Sequence, residues 1–379
     1  MSRIRIETNI AWDDKRKRYY VTLNYGKGED GKNKKKVVTC SSKKEARQIL
    51  KEHNKQMEAG TAVIPAKDTL ADCTKAFIDY KATMLEKSTI YGYTNIWKNH
   101  IVPYFGNKRI QDITAKDIQD YISTKASSDL SMATIKKHVA LLYSVFKNAY
   151  MTRLINENPL DRMEHVKANS EKFECMNAAE IATLCQSFAG TQLELPVMLA
   201  SYMGLRRGEI LGLKWEHINF DTATLSIENT RTMVGKEVVE KAPKTEKSTR
   251  QLDLIDAIVP VLLAQKAKQQ KHKKICNDFV VTMDNGRPFK PNYLSEAFLN
   301  HLRKHGMKLI RFHDLRHSFA SIANESGMLM NDISAAMGHS NISVTSGIYT
   351  HEFSTKKTKA VNAVAMSIEN AKRQEIATQ

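Results

Sequence analysis

No stretch of about 18 consecutive apolar residues occurs in the chain, so no segment reads as a membrane-spanning helix. The first eight residues, Met1-Ser2-Arg3-Ile4-Arg5-Ile6-Glu7-Thr8, lack the apolar core of a secretory signal. Cysteine is scarce and scattered: Cys40, Cys73, Cys175, Cys185 and Cys276 are odd in number and form no Cys-x-x-Cys. Neither a disulfide framework nor a zinc ribbon is expected, and a reducing cytoplasm is the natural setting. There is no internal repeat, and low complexity is confined to short lysine runs. Acidic residues are the remaining deficit. Against 58 Lys+Arg stand 41 Asp+Glu, so 58 − 41 leaves +17, with a pI near 9.5. That excess suits a polyanion, because each phosphate neutralised by Lys or Arg releases condensed counterions. Nucleic acid fits it better than a membrane surface.

What is present is enough aliphatic side chain for a core and 379 residues to divide, so two or three domains are expected. Residues 1–62 read as a small β-rich unit of three short strands and a helix. Over 19–25, Tyr19, Val21, Leu23 and Tyr25 alternate with Tyr20, Thr22 and Asn24, so two faces of a strand separate. A glycine-rich turn over 26–31 leads to a second strand at 34–39, and Ser42-x-x-Glu45 opens a helix to about Met57. Arg16, Arg18, Tyr20, Thr22 and Asn24 are candidate DNA contacts on the sheet; a solvated, lysine-rich surface is the alternative.

A linker containing Pro65 follows. Residues 68–166 have helical periodicity, with helices expected over 70–84, 89–100, 115–125 and 132–153. Thr69, Ser88, Thr114 and Ser131 are the expected caps, and Pro103 and Pro159 the expected stops. Lys136 and Lys137 are candidate DNA contacts here. Residues 167–172 form a polar second boundary, and 173–379 a mixed, mostly helical domain with a three-stranded sheet. Its strands are expected over 224–228, 231–241 and 249–254, with turns at Gly235 and at Pro243-Lys244-Thr245. The fold class is therefore α+β, mainly α with small sheets.

Five signals in the last domain point to chemistry. Gly204-Leu205-Arg206-Arg207-Gly208-Glu209 sets an arginine at a break between helices; if Arg206 begins the new helix, Glu209 shares its face. A guanidinium oriented by a carboxylate suits bidentate phosphate binding, although, taken alone, a surface ion pair explains the pair better. Lys244 lies at a loop tip, from which it can donate a proton to a leaving oxygen. His313-Asp314-Leu315-Arg316-His317 puts His313 and Arg316 on one helical face, where both can reach one phosphate. His313 and His317 also have zinc-ligand spacing. The glutamate of His-Glu-x-x-His is missing, however, and Arg316 would repel a cation, so no metal is expected. Gly338 ends a helix just before His339, and Tyr349 follows ten residues later.

Together these motifs, with Ile348-Tyr349-Thr350-His351, resemble the tyrosine recombinase (phage integrase) family in order and approximate spacing. The N-terminal unit resembles the arm-binding domain of conjugative-transposon and prophage integrases, and the helical middle resembles their core-binding domain. The resemblance implies that Arg206 and Arg316 clamp the scissile phosphate while Glu209 supports them. It further implies that Lys244 protonates the leaving 5′ oxygen, that His313 serves as acid/base, and that His339 hydrogen-bonds the phosphate. Tyr349 would then attack to give a 3′-phosphotyrosine. A tyrosine with an ordinary pKa of about 10 needs such company to act as a nucleophile. Two arginines and a lysine can neutralise the transition state, so no cofactor is expected. The implied partners are double-stranded DNA at element ends, target and arm-type sites, further copies of the chain in a homo-tetramer, and an accessory excisionase or bending protein. The implied location is the cytoplasm, on the nucleoid. A type IB topoisomerase and a non-catalytic DNA-binding regulator are the competing classes.

Overall fold

The structure, a computed structural model, describes residues 3–27, 31–60, 62–128, 130–164, 166–167, 175–242, 249–270 and 278–338. The chain divides into two compact units, Met1–Ser170 and Glu171–Gln379.

In the first unit, β1 (Ile4–Glu7), β2 (Ile10–Asp13), β3 (Arg18–Lys27) and β4 (Asn33–Cys40) form an antiparallel sheet in sequence order. The alternation along β3 holds from Val21 to Asn24, whereas Tyr20, expected on the face opposite Val21 and Leu23, is buried as well. Val21 and Leu23 are buried with Ile10, Cys40 and Ala46 in a small core against α1 (Lys43–Glu58). The sheet has four strands, not the expected three. The N-terminal hairpin turns at Asn9, whose φ of 65° is left-handed, a region asparagine tolerates better than most residues. Strands of four residues are too short to display a period. Ser42 caps α1 by accepting the Glu45 N–H at 3.1 Å, while the Glu45 carboxylate accepts the Ser41 N–H at 2.8 Å, so the reciprocal cap is displaced by one residue.

The same unit contains α2 (Leu70–Lys81), α3 (Lys87–Ile96), α4 (Val102–Phe105), α5 (Ala115–Ala126) and α6 (Met132–Met151), packed around Leu70, Ile101, Ile118, Leu141 and Phe146. Reciprocal caps, Thr69 with Asp72 and Thr114 with Asp117, open α2 and α5, and Ser131 caps α6. Ser88 is not a cap, because α3 opens after Glu86 with no side-chain cap. Nor does Pro103 stop the helix. A π turn, Trp97–Ile101, sends the Val102 N–H to the Trp97 carbonyl, and the wide turn makes room for the proline in the first turn of α4. The linker is fastened down: Gln111 donates to the Ile64 and Leu154 carbonyls at 2.9 Å each and accepts the Ala66 N–H at 3.2 Å.

The second unit runs through α7 (Ala178–Phe188), α8 (Glu194–Tyr202), α9 (Arg207–Gly212), β5 (Ile218–Asn219), β6 (Thr224–Ile227), β7 (Thr230–Val234), β8 (Glu237–Lys241) and β9 (Arg250–Asp253). Four helices follow: α10 (Val259–Gln270), α11 (Pro291–Lys304), α12 (Asp314–Glu325) and α13 (Met330–Met337). Leu199, Ile210, Leu225, Ile258, Phe298 and Leu315 are among the side chains of its core. The expected three-stranded sheet exists with altered membership, in the order β5-β6-β9. Residues 230–241 instead close on themselves as the hairpin β7-β8, pairing Met233 with Val238. Contact with α9 accounts for this. A Cβ at Gly212 would lie 2.6 Å from the Asn229 carbonyl oxygen, and one at Gly208 3.2 Å from that of Arg231. Helix and chain touch there, which draws residues 229–231 out of line with β6. Among the described residues no helix is long and apolar enough to cross a membrane.

Candidate active site

The site grows from the C-terminal end of α13. An α-helix leaves its last carbonyls without intrahelical donors and carries partial negative charge there. Here three successive carbonyls are each taken by a different arginine. Arg250 Nε donates to Ala336 O at 2.7 Å, Arg316 Nη2 to Met337 O at 2.7 Å, and Arg206 Nη2 to Gly338 O at 2.9 Å. Gly338 closes the helix with φ 63° and ψ 48°, as expected of a glycine at that position. A Cβ there would lie 2.8 Å from Arg250 Nη1, so a larger residue would have to displace that guanidinium from the helix end.

Arg206 arrives through the break after α8. Gly204 turns the chain with φ 64°, and Arg206 caps α9. Glu209 lies one turn into that helix. It accepts the Arg206 backbone N–H at 2.9 Å and Arg206 Nη1 at 2.6 Å, the orientation expected from the sequence. The carboxylate is only 1 % exposed and also accepts Arg250 Nη2 at 3.0 Å. Desolvation would raise its pKa, but the charges and hydrogen bonds of Arg250 and Arg206 outweigh it and hold the carboxyl below its ordinary range.

Arg316 is 2 % exposed within α12 and donates through Nη1 to Gly204 O at 2.5 Å. One guanidinium thus ties the turn that carries Arg206 to the helix end that leads into His339. His313 stands at the position before α12 without a side-chain cap bond, its ring 5.1 Å from that of His317 and nearly perpendicular to it. Its imidazole is pushed down to about 4, first by desolvation and then by His317, Arg316 and Arg206. The residue still reaches solvent, which softens the shift; the consequence is a ring that is neutral at neutral pH. His317 is 6 % exposed and its pKa is likewise lowered by burial, in keeping with a role inside the fold. Asp314 accepts the Arg311 N–H at 2.8 Å and pairs with its guanidinium at 2.9 Å, which anchors the start of α12.

Arg206, Glu209, His313 and Arg316 are therefore brought together. Lys244, His339 and Tyr349 lie outside the described residues. Arg250 is the participant that sequence reasoning missed. It stands six residues beyond Lys244 at the start of β9, and its charge on a strand of a mixed domain was the one available signal.

The candidate DNA contacts belong to the other unit. Arg16, Arg18 and Asn24 are exposed, and Thr22 is half-buried. Tyr20 is only 7 % exposed. The Arg3 guanidinium lies 3.8 Å from its ring centroid, so a polyanion would meet that arginine before the ring. Lys136 and Lys137 are exposed on α6.

Residues 173–356 match the phage integrase family, and residues 69–126 match the phage integrase N-terminal SAM-like domain. A tyrosine recombinase XerC-like protein of Caldanaerobacter subterraneus subsp. tengcongensis is 28 % identical, over 92 % of this chain and 96 % of that protein. Among solved structures, the Tn1549 transposon integrase in complex with a circular intermediate DNA has a TM-score of 0.66 at 18 % identity, covering 74 % of this chain and 94 % of that one. A lambda integrase tetramer bound to a Holliday junction has a TM-score of 0.57 at 18 % identity, covering 92 % of this chain and 96 % of that one. With two family matches in chain order, a full-length relative of the same name and the same fold, the chain belongs to the phage integrase family of tyrosine recombinases, enzymes of site-specific DNA recombination.

Proposed function

We propose that this recombinase cleaves and rejoins the ends of a mobile element through Tyr349. The convergence of Arg206 and Arg316 on the end of α13, immediately before His339, carries the reading. In this mechanism the Tyr349 hydroxyl oxygen attacks the scissile phosphorus. The P–O5′ bond breaks, and Lys244 gives its proton to the leaving 5′ oxygen. His313 accepts the tyrosine proton. Its ring is neutral at neutral pH and hence able to accept, and an arriving phosphate would offset the neighbouring cations and strengthen it as a base. Arg206, Arg316 and His339 stabilise the charge that builds on the phosphate oxygens. The phosphotyrosine ester conserves the energy of the backbone bond, so a second strand can rejoin by the reverse step.

Three functional regions serve this chemistry: residues 1–62 for arm-type DNA, 68–166 for core-type DNA and 173–379 for catalysis. Double-stranded DNA, a homo-tetramer assembled on it and an accessory excisionase or bending protein are the partners, and the cytoplasm is the location. The first two cores support the division, because their members fall within 10–50 and 70–163 without overlap. Wild-type protein given a nicked suicide substrate from its own element's end should form a covalent adduct, and Tyr349→Phe should form none. An adduct that persists in Tyr349→Phe would sink the nucleophile assignment, and relaxed circles without recombinant joints would favour the topoisomerase reading.

A further inference from the structure

Arg250 is assigned no part in the reaction above, yet it touches two of the motifs that perform it. Its Nη2 pairs with Glu209 and its Nε holds the Ala336 carbonyl, one turn of chain before His339. Its side chain is 8 % exposed, against 33 % for Arg206, so Arg250 faces inward while Arg206 remains within reach of a ligand. The electrostatics give this pairing a consequence. Arg206 with Glu209 alone is a neutral pair, which a phosphate would find a weak attractant. With Arg250 included, two guanidinium charges face that carboxylate, so the charge of Arg206 is no longer fully offset by Glu209. In the low dielectric around a carboxylate that is 1 % exposed, such balance matters far more than it would at the surface.

We propose that Arg250 is a positioning residue: it takes up the charge of Glu209, so that Arg206 meets the phosphate with its own charge uncancelled, and it pins the helix end that leads into His339. The proposal rests on the reading that Arg206 binds the scissile phosphate. Glu209 then has two separable duties. Its Oε1 aims Arg206, and its Oε2 is quieted by Arg250. The carboxyl's lowered pKa, with Arg250 ahead of Arg206 among the charges that lower it, is consistent with this division.

The test uses the full chain and a nicked suicide substrate at saturating concentration, reading the single-turnover rate of adduct formation alongside DNA affinity by mobility shift. Arg250→Gln should cleave about 100-fold more slowly, the scale of a small misplacement at a reacting centre. Its DNA affinity should change little, because phosphate contacts along the whole duplex dominate binding. Arg250→Lys should recover much of the rate. The discriminating measurement is Glu209→Gln in both backgrounds. It should slow the wild type but speed Arg250→Gln, because there it removes the carboxylate that cancels the charge of Arg206. Wild-type cleavage by Arg250→Gln, or further slowing by Glu209→Gln in that background, overturns the proposal. If Arg250→Gln is too unstable to bind DNA, the double variant decides: recovered binding and cleavage support charge balance, and their absence overturns it. A wild-type protein that forms no adduct overturns the proposed function itself, and this inference with it.

Discussion

Gly204 is where backbone conformation and active-site geometry meet. Its φ of 64° lies in the left-handed region, and a Cβ there would sit 2.6 Å from the Phe319 ring. Alanine would carry roughly 1 kcal/mol of conformational cost and about 1–3 kcal/mol of overpacking. Gly204→Ala should therefore lower stability by about 3 kcal/mol in urea unfolding. It should also slow cleavage, because the Gly204 carbonyl is an anchor of Arg316. An unchanged unfolding midpoint would show that Phe319 moves aside freely. Residues of this kind were legible in the sequence. A glycine followed by Arg206 and Glu209, and an Arg316 one turn from His313, carry their meaning in local spacing. Arg250 was not legible, because its value depends on burial beside Glu209 and against the end of α13, and no local pattern encodes either contact.

The elements show the same division between local and distant causes. Thr69 with Asp72, Thr114 with Asp117 and Asn177 with Glu180 all close reciprocal caps, because each cap is settled within four residues. The passage of a helix through Pro103 and the escape of β7 from the sheet were hidden, since a π turn and the contact with α9 decide them. The contact between α5 and α6 was hidden too, and it predicts a pH dependence. His138, 1 % exposed, shares a 2.9 Å hydrogen bond between its Nδ1 and the Tyr121 hydroxyl, and its ring lies 4.4 Å from that of His100. Desolvation, then His100 and Lys125, lower its pKa from 6.5 to about 4. Between those values the unfolded chain binds a proton that the folded chain refuses. Stability is therefore intact above about pH 6.5 and falls as the pH drops towards 4. The loss between pH 7 and pH 5 should be about 2 kcal/mol. Hydrogen exchange of the α6 amides at the two pH values reads it directly. His138→Gln should flatten the difference, and an equal pH effect in that variant would place the titration elsewhere.

Across the whole molecule, charge and core are distributed unevenly. Residues 1–62 hold 16 Lys+Arg and 8 Asp+Glu, so 16 − 8 places +8 of the chain's +17 in its first sixth. Their small core is built from residues of that segment alone, around Val21 and Ala46, whereas the helical core begins at Leu70. Gln111 fastens the linker through Ile64 and Ala66, on the far side of residue 62. A chain starting at residue 63 therefore keeps that fastening, both larger cores and the three arginines on α13, and among the described residues it gives up the Arg153 bond to the Gly60 carbonyl. It should cleave a short duplex bearing only the core-type site at close to the full-length rate. It should lose affinity for a separate arm-type duplex, along with the salt dependence of that binding, which declines by about 0.9 in log–log slope for each phosphate contact removed. Titrating both proteins with both duplexes between about 50 and 200 mM salt separates the two functions. If the truncated chain binds the arm-type duplex as tightly and with the same slope, the N-terminal sheet is a solvated surface and its excess charge serves solubility instead.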